Sequence, residues 1–306
     1  MTAAALTNLS RSETSVFGNL LDERSTRVLA GSLRVYSSTM PDPTPVEEWH
    51  DFLSGTHPHL HHPKPFRFIP SSPRCRLCAA PFKGPGSVIF RRLGFTPWEK
   101  NPNLCRRCFT GLQLHASMCP GMPEEDVHGA EVDVSMLFAD IRGSSGLARS
   151  VSTMEFTHLM NRFYRVAREV LIEHDAIIEK FVGDEVVGLF LPFLAGPGHV
   201  GRAVEAASAL LEATGHRSTE GPWVPLGVGV HTGAAFVGIV GSKDAMDFTA
   251  LGDPVNIAAH LAGQAAAGEI LLTDAVALAA ERPLDGSERR AVTLKGFELE
   301  AVVIRS

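Results

Sequence analysis

The chain has 306 residues, of which 44% are apolar and 20% charged, and its formal net charge is −6. This composition excludes a disordered chain and allows one large or two moderate globular domains. No apolar run is long enough to span a bilayer; the longest candidate, Val186 to Ala195, is interrupted by Pro192.

The N-terminus, Met-Thr-Ala-Ala-Ala-Leu-Thr-Asn, has no basic start ahead of an apolar core, so no secretory signal is expected. Residues 1–45 have little periodicity and end in Pro41-Asp-Pro-Thr-Pro45. A flexible segment is expected there, with Leu20 to Tyr36 as a candidate short helix and Met40 as an alternative start. Residues 46–118 read as a small metal-binding module with its leader. His57, His59, His61 and His62 lie among prolines. They read as a solvated loop rather than a metal site, because no helix or strand is expected to fix their geometry.

The metal signal is Cys75-x-x-Cys78, then 26 residues, then Cys105-x-x-Cys108. Two such knuckles each place two thiolates on one ion, which predicts a tetrahedral Cys₄ site holding one structural Zn²⁺. An iron–sulfur cluster is the competing occupant. A short helix is expected from Phe109 onward, and the whole resembles a treble-clef or zinc-ribbon module. Cys119 is left over as an ordinary thiol. From Lys64 to Arg107 the chain carries ten Lys or Arg against one acid, Glu99, giving +9 and leaving −15 elsewhere. Offsetting of zinc-bound thiolates, or docking on the acidic remainder of the chain, is expected ahead of a nucleic-acid partner. Aromatic residues suited to base stacking are sparse in 75–108.

Residues 119–130, rich in Pro, Gly and acids, read as a linker to a domain over 131–306. That domain opens with an apolar run, Val132 to Ala139, which reads as a buried strand ending at Asp140. Apolar residues at 156, 159, 160, 163, 166, 167, 170 and 171 predict a helix over Thr153 to Glu173. Two further runs, Ala176 to Val182 and Val186 to Leu191, flank Gly183-Asp184 and read as a hairpin. A strand, a crossover helix and a hairpin make a split βαβ unit, which brings Asp140 and Asp184 to one sheet edge. A carboxylate pair of this kind can hold Mg²⁺ beside phosphates. Beyond it are expected a helix (His199 to Thr214), strands near 224–231 and 234–240, and a strand leading to Leu251. A helix (Pro254 to Ala265), a strand at 269–272, a helix at 273–281 and a strand pair near 291–294 and 299–304 complete the domain. Asp253 and Pro254 fit the cap and first turn of their helix.

Four blocks carry a specific resemblance: Phe-Ala-Asp140-Ile-Arg-Gly, Glu-Lys180-Phe-Val-Gly-Asp184, Gly227-Val-Gly-Val-His-Thr-Gly233, and Phe248-Thr249-Ala-Leu-Gly-Asp-Pro-Val-Asn256-Ile-Ala-Ala-His260. In this order and spacing, Glu131 to Ser306 resembles the catalytic domain of the class III nucleotidyl cyclases. These convert ATP or GTP to the 3′,5′-cyclic nucleotide and pyrophosphate. The resemblance implies an α+β, ferredoxin-like (βαββαβ) fold. It further implies that Asp140, Asp184 and the Ile141 carbonyl hold two Mg²⁺ (or Mn²⁺). Backbone N–H groups of Ile141, Arg142, Gly143, Ser144 and Ser145 would face the phosphates, with Ser144 standing where an aromatic residue is usual. Lys180 would donate to adenine and Thr249, where many members have aspartate, would accept from its amino group, favouring ATP. Asn256 would position the ribose. His260 stands where the family has a transition-state arginine, which implies slow turnover or none.

Because metal-binding and base-recognising residues act from opposite protomers in this family, a C₂ homodimer is implied. The expectation is a cytoplasmic adenylate cyclase producing cyclic AMP for intracellular signal transduction, with an N-terminal zinc module. The alternatives are a catalytically weak or inactive cyclase-like scaffold, or a guanylate cyclase. His231 is expected in the core, and Gly233, Gly238 and Gly241 at close strand contacts.

Overall fold

The computed structural model describes residues 44–84, 86–109, 128–242, 245–281, 288–294 and 297–305. The candidate helix at 20–36, Met40, the helix expected beyond Phe109, Cys119 and most of the expected linker lie outside the described residues. Thr44–Ser306 forms one compact unit.

Helix α1, Pro45–Leu53, starts where only a leader is expected from the sequence. Its cause is local: the Thr44 hydroxyl accepts from the Glu47 N–H, the Glu47 carboxylate accepts from the Thr44 N–H, and Pro45 opens the first turn. The helix buries Trp49, Phe52 and Leu53. A four-residue helix, α2 at Pro58–His61, runs through the histidine patch, correcting the loop expected there. Helix α3 covers Ser87–Arg92, between the two cysteine knuckles.

The following elements are β1 (His128–Ile141), α4 (Ser144–Ser150), α5 (Thr153–Glu173), β2 (Ile177–Val182), β3 (Glu185–Phe190), α6 (Pro192–Ala195) and α7 (His199–Ala213). Then come β4 (Leu226–Ser242), β5 (Ala245–Leu251), α8 (Asp253–Gln264), β6 (Glu269–Thr273), α9 (Asp274–Ala279), β7 (Arg289–Leu294) and β8 (Phe297–Arg305). The sheet order is β2-β3-β1-β4-β6-β8-β7, with β5 paired to β4. The β2-β3-β1-β4 half is antiparallel throughout, as a ferredoxin-like split βαβ unit requires.

A further expectation is corrected in the sheet. The two strands foreseen near 224–231 and 234–240 are a single strand, β4, paired to β1 from Ile141↔Leu226 to His128↔Ile239. Thr232-Gly233-Ala234 looks like a break in sequence, yet it continues the ladder opposite Asp133, Val134 and Ser135. Glycine is required further along: a Cβ at Gly238 would lie 2.3 Å from the His128 carbonyl oxygen and 2.5 Å from the Gly129 Cα.

Strand β1 is buried on both faces, which explains its unbroken apolar run. Leu137, Ala139 and Ile141 pack with α5 and α7; Val132, Val134, Met136 and Phe138 face the opposite layer. That second layer contains Ala258 and Ala262 of α8. It also contains Trp49, Phe52, Trp98, Leu104 and Phe109 of the N-terminal part. The cysteine-bearing segment therefore shares a core with the sheet. Its basic residues dock as well: Arg76 forms an ion pair with Asp175, and Lys100 one with Asp247 at 2.6 Å. The sheet edge is covered in the same way, since Lys100 O accepts from Ile178 N and Asn101 donates to Ala176 O.

Candidate active site

Asp140 lies at the end of β1, opposite Glu185 of β3, and Asp184 sits at the tip of the β2–β3 hairpin. Gly183 makes that tip with φ 59°, a left-handed conformation natural to glycine. The Ile141 N–H donates to the Asp184 carbonyl at 3.1 Å, tying the two carboxylate-bearing segments together. The aspartates are thus neighbours at one edge. Arg142 forms an ion pair with the Asp140 carboxylate and donates to Gly263 O at the C-terminal end of α8, at 2.7 Å. A carboxylate set already facing a cation suits a hard divalent ion.

Gly143, at φ 70°, caps α4, so Asp140 is a strand residue and not the cap of that helix. Two of the five backbone donors expected to face phosphate are used within the protein. Ile141 N–H goes to Asp184 O, and Arg142 N–H to Pro225 O at 2.9 Å. The turn must be closed before it can present anything, and those two bonds close it. Gly143, Ser144 and Ser145 follow it. An open cleft of about 450 Å³ adjoins Asp184; Ser144, Ser145, Asn161 and Tyr164 help to line it. Tyr164 donates its hydroxyl to Gly183 O, and burial with the Asp184 charge raises its pKa. Burial likewise raises that of Glu185, helped by Asp184 and Glu179.

A second cluster joins Lys180 and Thr249, which are distant in sequence. Between them stands Glu179, whose side chain is 4% exposed. Thr249 donates its hydroxyl to Glu179 Oε1 at 2.5 Å, and the Lys180 ammonium lies 3.3 Å from the same oxygen. Lys100 donates to Glu179 O at 2.6 Å and to Phe248 O at 2.9 Å.

Asn256 and His260 occupy successive turns of α8, the first exposed and the second half-buried. The helix is capped by Gly252 (φ 136°), so Asp253 and Pro254 are its first two residues and it begins one position earlier than expected from the sequence. Gly252 makes the turn out of β5 with a positive φ natural to glycine, and having no side chain it makes no side-chain cap bond. Helix α8 lies so close to β4 that a Cβ at Gly229 would be 2.3 Å from Ala262 N. His231, expected in the core, is half-buried: its Nδ1 is 2.9 Å from Thr273 Oγ1, and burial lowers its pKa to about 4.

Among the described residues, Cys75, Cys78, Cys105 and Cys108 form the one group of three or more potential ligands that could hold a metal ion. Their sulfurs lie within 4.8 Å of one another. Cys78 and Cys105 are separated by 3.7 Å, close to the edge of about 3.8 Å of a tetrahedron with Zn–S bonds of about 2.3 Å. Backbone N–H groups of Cys105 and Cys108 donate to Cys75 and Cys105 sulfurs at 3.2 and 3.3 Å, which stabilises thiolates. The donor set fits a tetrahedral thiophilic metal.

Sequence reasoning missed Glu179, Lys100 and Tyr164. Glu179 had a signal, a carboxylate beside Lys180 inside a strand whose other residues are apolar. Lys100 had none, because its partners lie far away in the chain.

A family model described as the adenylate and guanylate cyclase catalytic domain matches residues 127–305, more than half of the chain. The chain belongs to this family, the class III cyclases. It is 32% identical over 136 residues to adenylate cyclase 1 of Rhizobium meliloti (strain 1021), covering 43% of this chain and 20% of that one. It is 34% identical over 143 residues to an uncharacterized protein of Mycobacterium tuberculosis (strain ATCC 25618 / H37Rv), covering 46% and 25%. The matches take in a quarter or less of those relatives' own length. Among solved structures, the adenylyl cyclase CyaB from P. aeruginosa superposes with a TM-score of 0.50 at 26% identity, over 59% of this chain and 97% of that one. The guanylyl cyclase Cya2 gives 0.52 at 22% identity, over 58% and 92%, a likeness of fold.

Proposed function

We propose that this chain is an adenylate cyclase that converts ATP to 3′,5′-cyclic AMP and pyrophosphate at a site shared between two copies. What carries the reading is the convergence of Asp140 and Asp184 at one sheet edge, with an open cleft of about 450 Å³ adjoining Asp184. Asp140, Asp184 and the Ile141 carbonyl would hold two Mg²⁺ or Mn²⁺. Bound there, divalent cations supply neutralisation of the triphosphate charge and a lowered pKa for the ribose 3′-hydroxyl. Arg142, which pairs with Asp140 and donates to Gly263 O, would exchange its carboxylate partner for the phosphates and keep the Gly263 contact. Gly143, Ser144 and Ser145 would bind the phosphates through their backbone N–H groups.

Lys180 and Thr249 of the partner would hold adenine, and Asn256 the ribose. His260 would contribute a single donor to the charge that develops on the pentavalent phosphate, a weaker contribution than an arginine fork. One structural zinc on the four cysteines completes the protein. A cytoplasmic setting belongs to the reading, since ATP and a thiolate metal site both suit a reducing compartment; among the described residues no helix is long and apolar enough to cross a membrane.

His260 favours a second reading, a cyclase-like scaffold that binds nucleotide without turnover. An assay of cyclic AMP and cyclic GMP formation with Mg²⁺ and Mn²⁺ separates the two. Cyclic AMP as the main product is expected; nucleotide binding with no product under either metal supports the scaffold.

A further inference from the structure

Strand β2 contains one irregularity. Ile178 pairs with Gly188 and Lys180 with Val187, so Glu179 is an extra residue with no partner on β3. Such a bulge frees one carbonyl from the ladder and re-aims the neighbouring side chains. Here the freed Glu179 carbonyl accepts from Lys100, and the Glu179 carboxylate is buried under Thr249. Strands β2 and β5 share no ladder. Their contact at this point consists of the Thr249–Glu179 hydrogen bond and the Lys100 ammonium, which binds one carbonyl from each strand.

We propose that Glu179 is a positioning residue that sets the base preference of the site, with Lys100 holding its bulge in place. The proposal rests on the reading of Lys180 and Thr249 as the base-recognising pair. An ionised carboxylate only accepts, so the Thr249 hydroxyl hydrogen is committed to Glu179. Thr249 then offers the base lone pairs and no proton. Lys180, drawn to the same carboxylate oxygen, offers only donors. Adenine presents an amino donor beside a ring-nitrogen acceptor, which this donor–acceptor pair matches. Guanine presents a carbonyl beside a ring N–H and meets donor with donor and acceptor with acceptor. A threonine free to rotate would lose half of this discrimination, since its hydroxyl could donate to the guanine carbonyl.

The test compares ATP with GTP, by kcat/KM for the cyclic product and by equilibrium binding of each nucleotide with Mn²⁺ to the full chain. Wild type is expected to favour ATP. Glu179→Gln, whose amide can donate to Thr249 and turn its hydrogen outward, is expected to lower the ATP:GTP ratio roughly five- to thirtyfold. Glu179→Asp, which keeps the charge, should retain more of the ratio. In a Thr249→Ala background, where the ratio is already reduced, Glu179→Gln should change it no further, because the effect passes through that hydroxyl. Lys100→Met leaves the carboxylate in place but frees the bulge, and is expected to lower the ratio severalfold in a protein that still folds; it serves if Glu179→Gln does not fold. A ratio unchanged within about twofold in folded Glu179→Gln or Lys100→Met overturns the proposal. So does an equal effect with and without Thr249, or a wild type that favours GTP. ATP binding in preference to GTP without product sinks the enzyme reading alone, and the binding ratio still decides for Glu179. A protein that binds neither nucleotide overturns both.

Discussion

At the scale of single residues, the chemistry depends on charges placed next to one another by main-chain contacts. Asp140 and Asp184 stay together because Ile141 N–H binds Asp184 O, whatever occupies the space between their carboxylates. Asp184→Asn is expected to lower cyclic AMP formation at least about 10²–10³-fold while leaving the melting temperature nearly unchanged, as a partly exposed hairpin tip should. Activity surviving that change would remove the aspartates from the reaction. His260→Arg is expected to raise turnover about tenfold or more, because a fork of donors replaces one. A fall in rate would mean that His260 is not at the transition state.

Two residues away from that edge contribute to the response to acid. His231 has its pKa lowered to about 4 by burial, and Arg290 with Arg305 holds Glu269 down to about 2. From about pH 6.5 to 4 the unfolded chain takes up a proton on His231 that the folded chain refuses. From about 4.5 to 2 the same holds for Glu269. In both windows the unfolded state binds more protons, so stability falls as pH falls, by on the order of 2–3 kcal/mol for each group. Melting curves from pH 7 to 3 should show a continuous decline. His231→Gln should flatten its upper part and Glu269→Gln its lower part; a decline unchanged in both would assign the effect elsewhere.

At the scale of elements, the cysteine segment is a structural part of the sheet's second layer. Trp98 stacks on Phe109 at 4.1 Å, both pack against Phe248 of β5, and Trp49 of α1 is 1% exposed. Trp49→Ala is therefore expected to cost about 3–5 kcal/mol, read as a shifted denaturant midpoint. Loss of the metal should act through the same core. One equivalent of zinc per chain is expected, and a strong chelator or Cys75→Ser with Cys105→Ser should lower the melting temperature of the whole 44–306 unit. A cyclase domain that melts unchanged without metal would make the cysteines an independent appendage.

At the scale of the whole molecule, on the proposed reading one chain carries both halves of a site that two copies complete. Lys180 lies within β2, which ends at Val182, whereas Asp184 lies beyond it in the hairpin turn. Asp184→Asn and Asn256→Ala proteins, each inactive alone, should recover about a quarter of wild-type activity when mixed, since half of the dimers then hold one intact site of two. No recovery after exchange of protomers would put the complete site in a single chain.

Much of this was legible without coordinates. The period of 3.6 in Thr153 to Glu173 gives α5 to the residue, and Gly183-Asp184 between apolar runs gives the hairpin, because burial and turn chemistry are written locally. Paired Cys-x-x-Cys spacing likewise announces four thiolates around one point. Helix α1 was equally local, in Thr44-Pro45-x-Glu47, but its proline-rich approach hides the cap. Only the tertiary structure could join β4 across Thr232-Gly233-Ala234, because a ladder depends on its partner strand. Only the tertiary structure could bring Lys100 to the carbonyls of Glu179 and Phe248, contacts that reach 79 and 148 residues along the chain. The sequence determined which groups can bind, donate or coordinate, since that chemistry resides in the side chain itself. Which groups meet, and so which way the Thr249 hydroxyl points, was decided by packing, since no local pattern records a contact between distant segments.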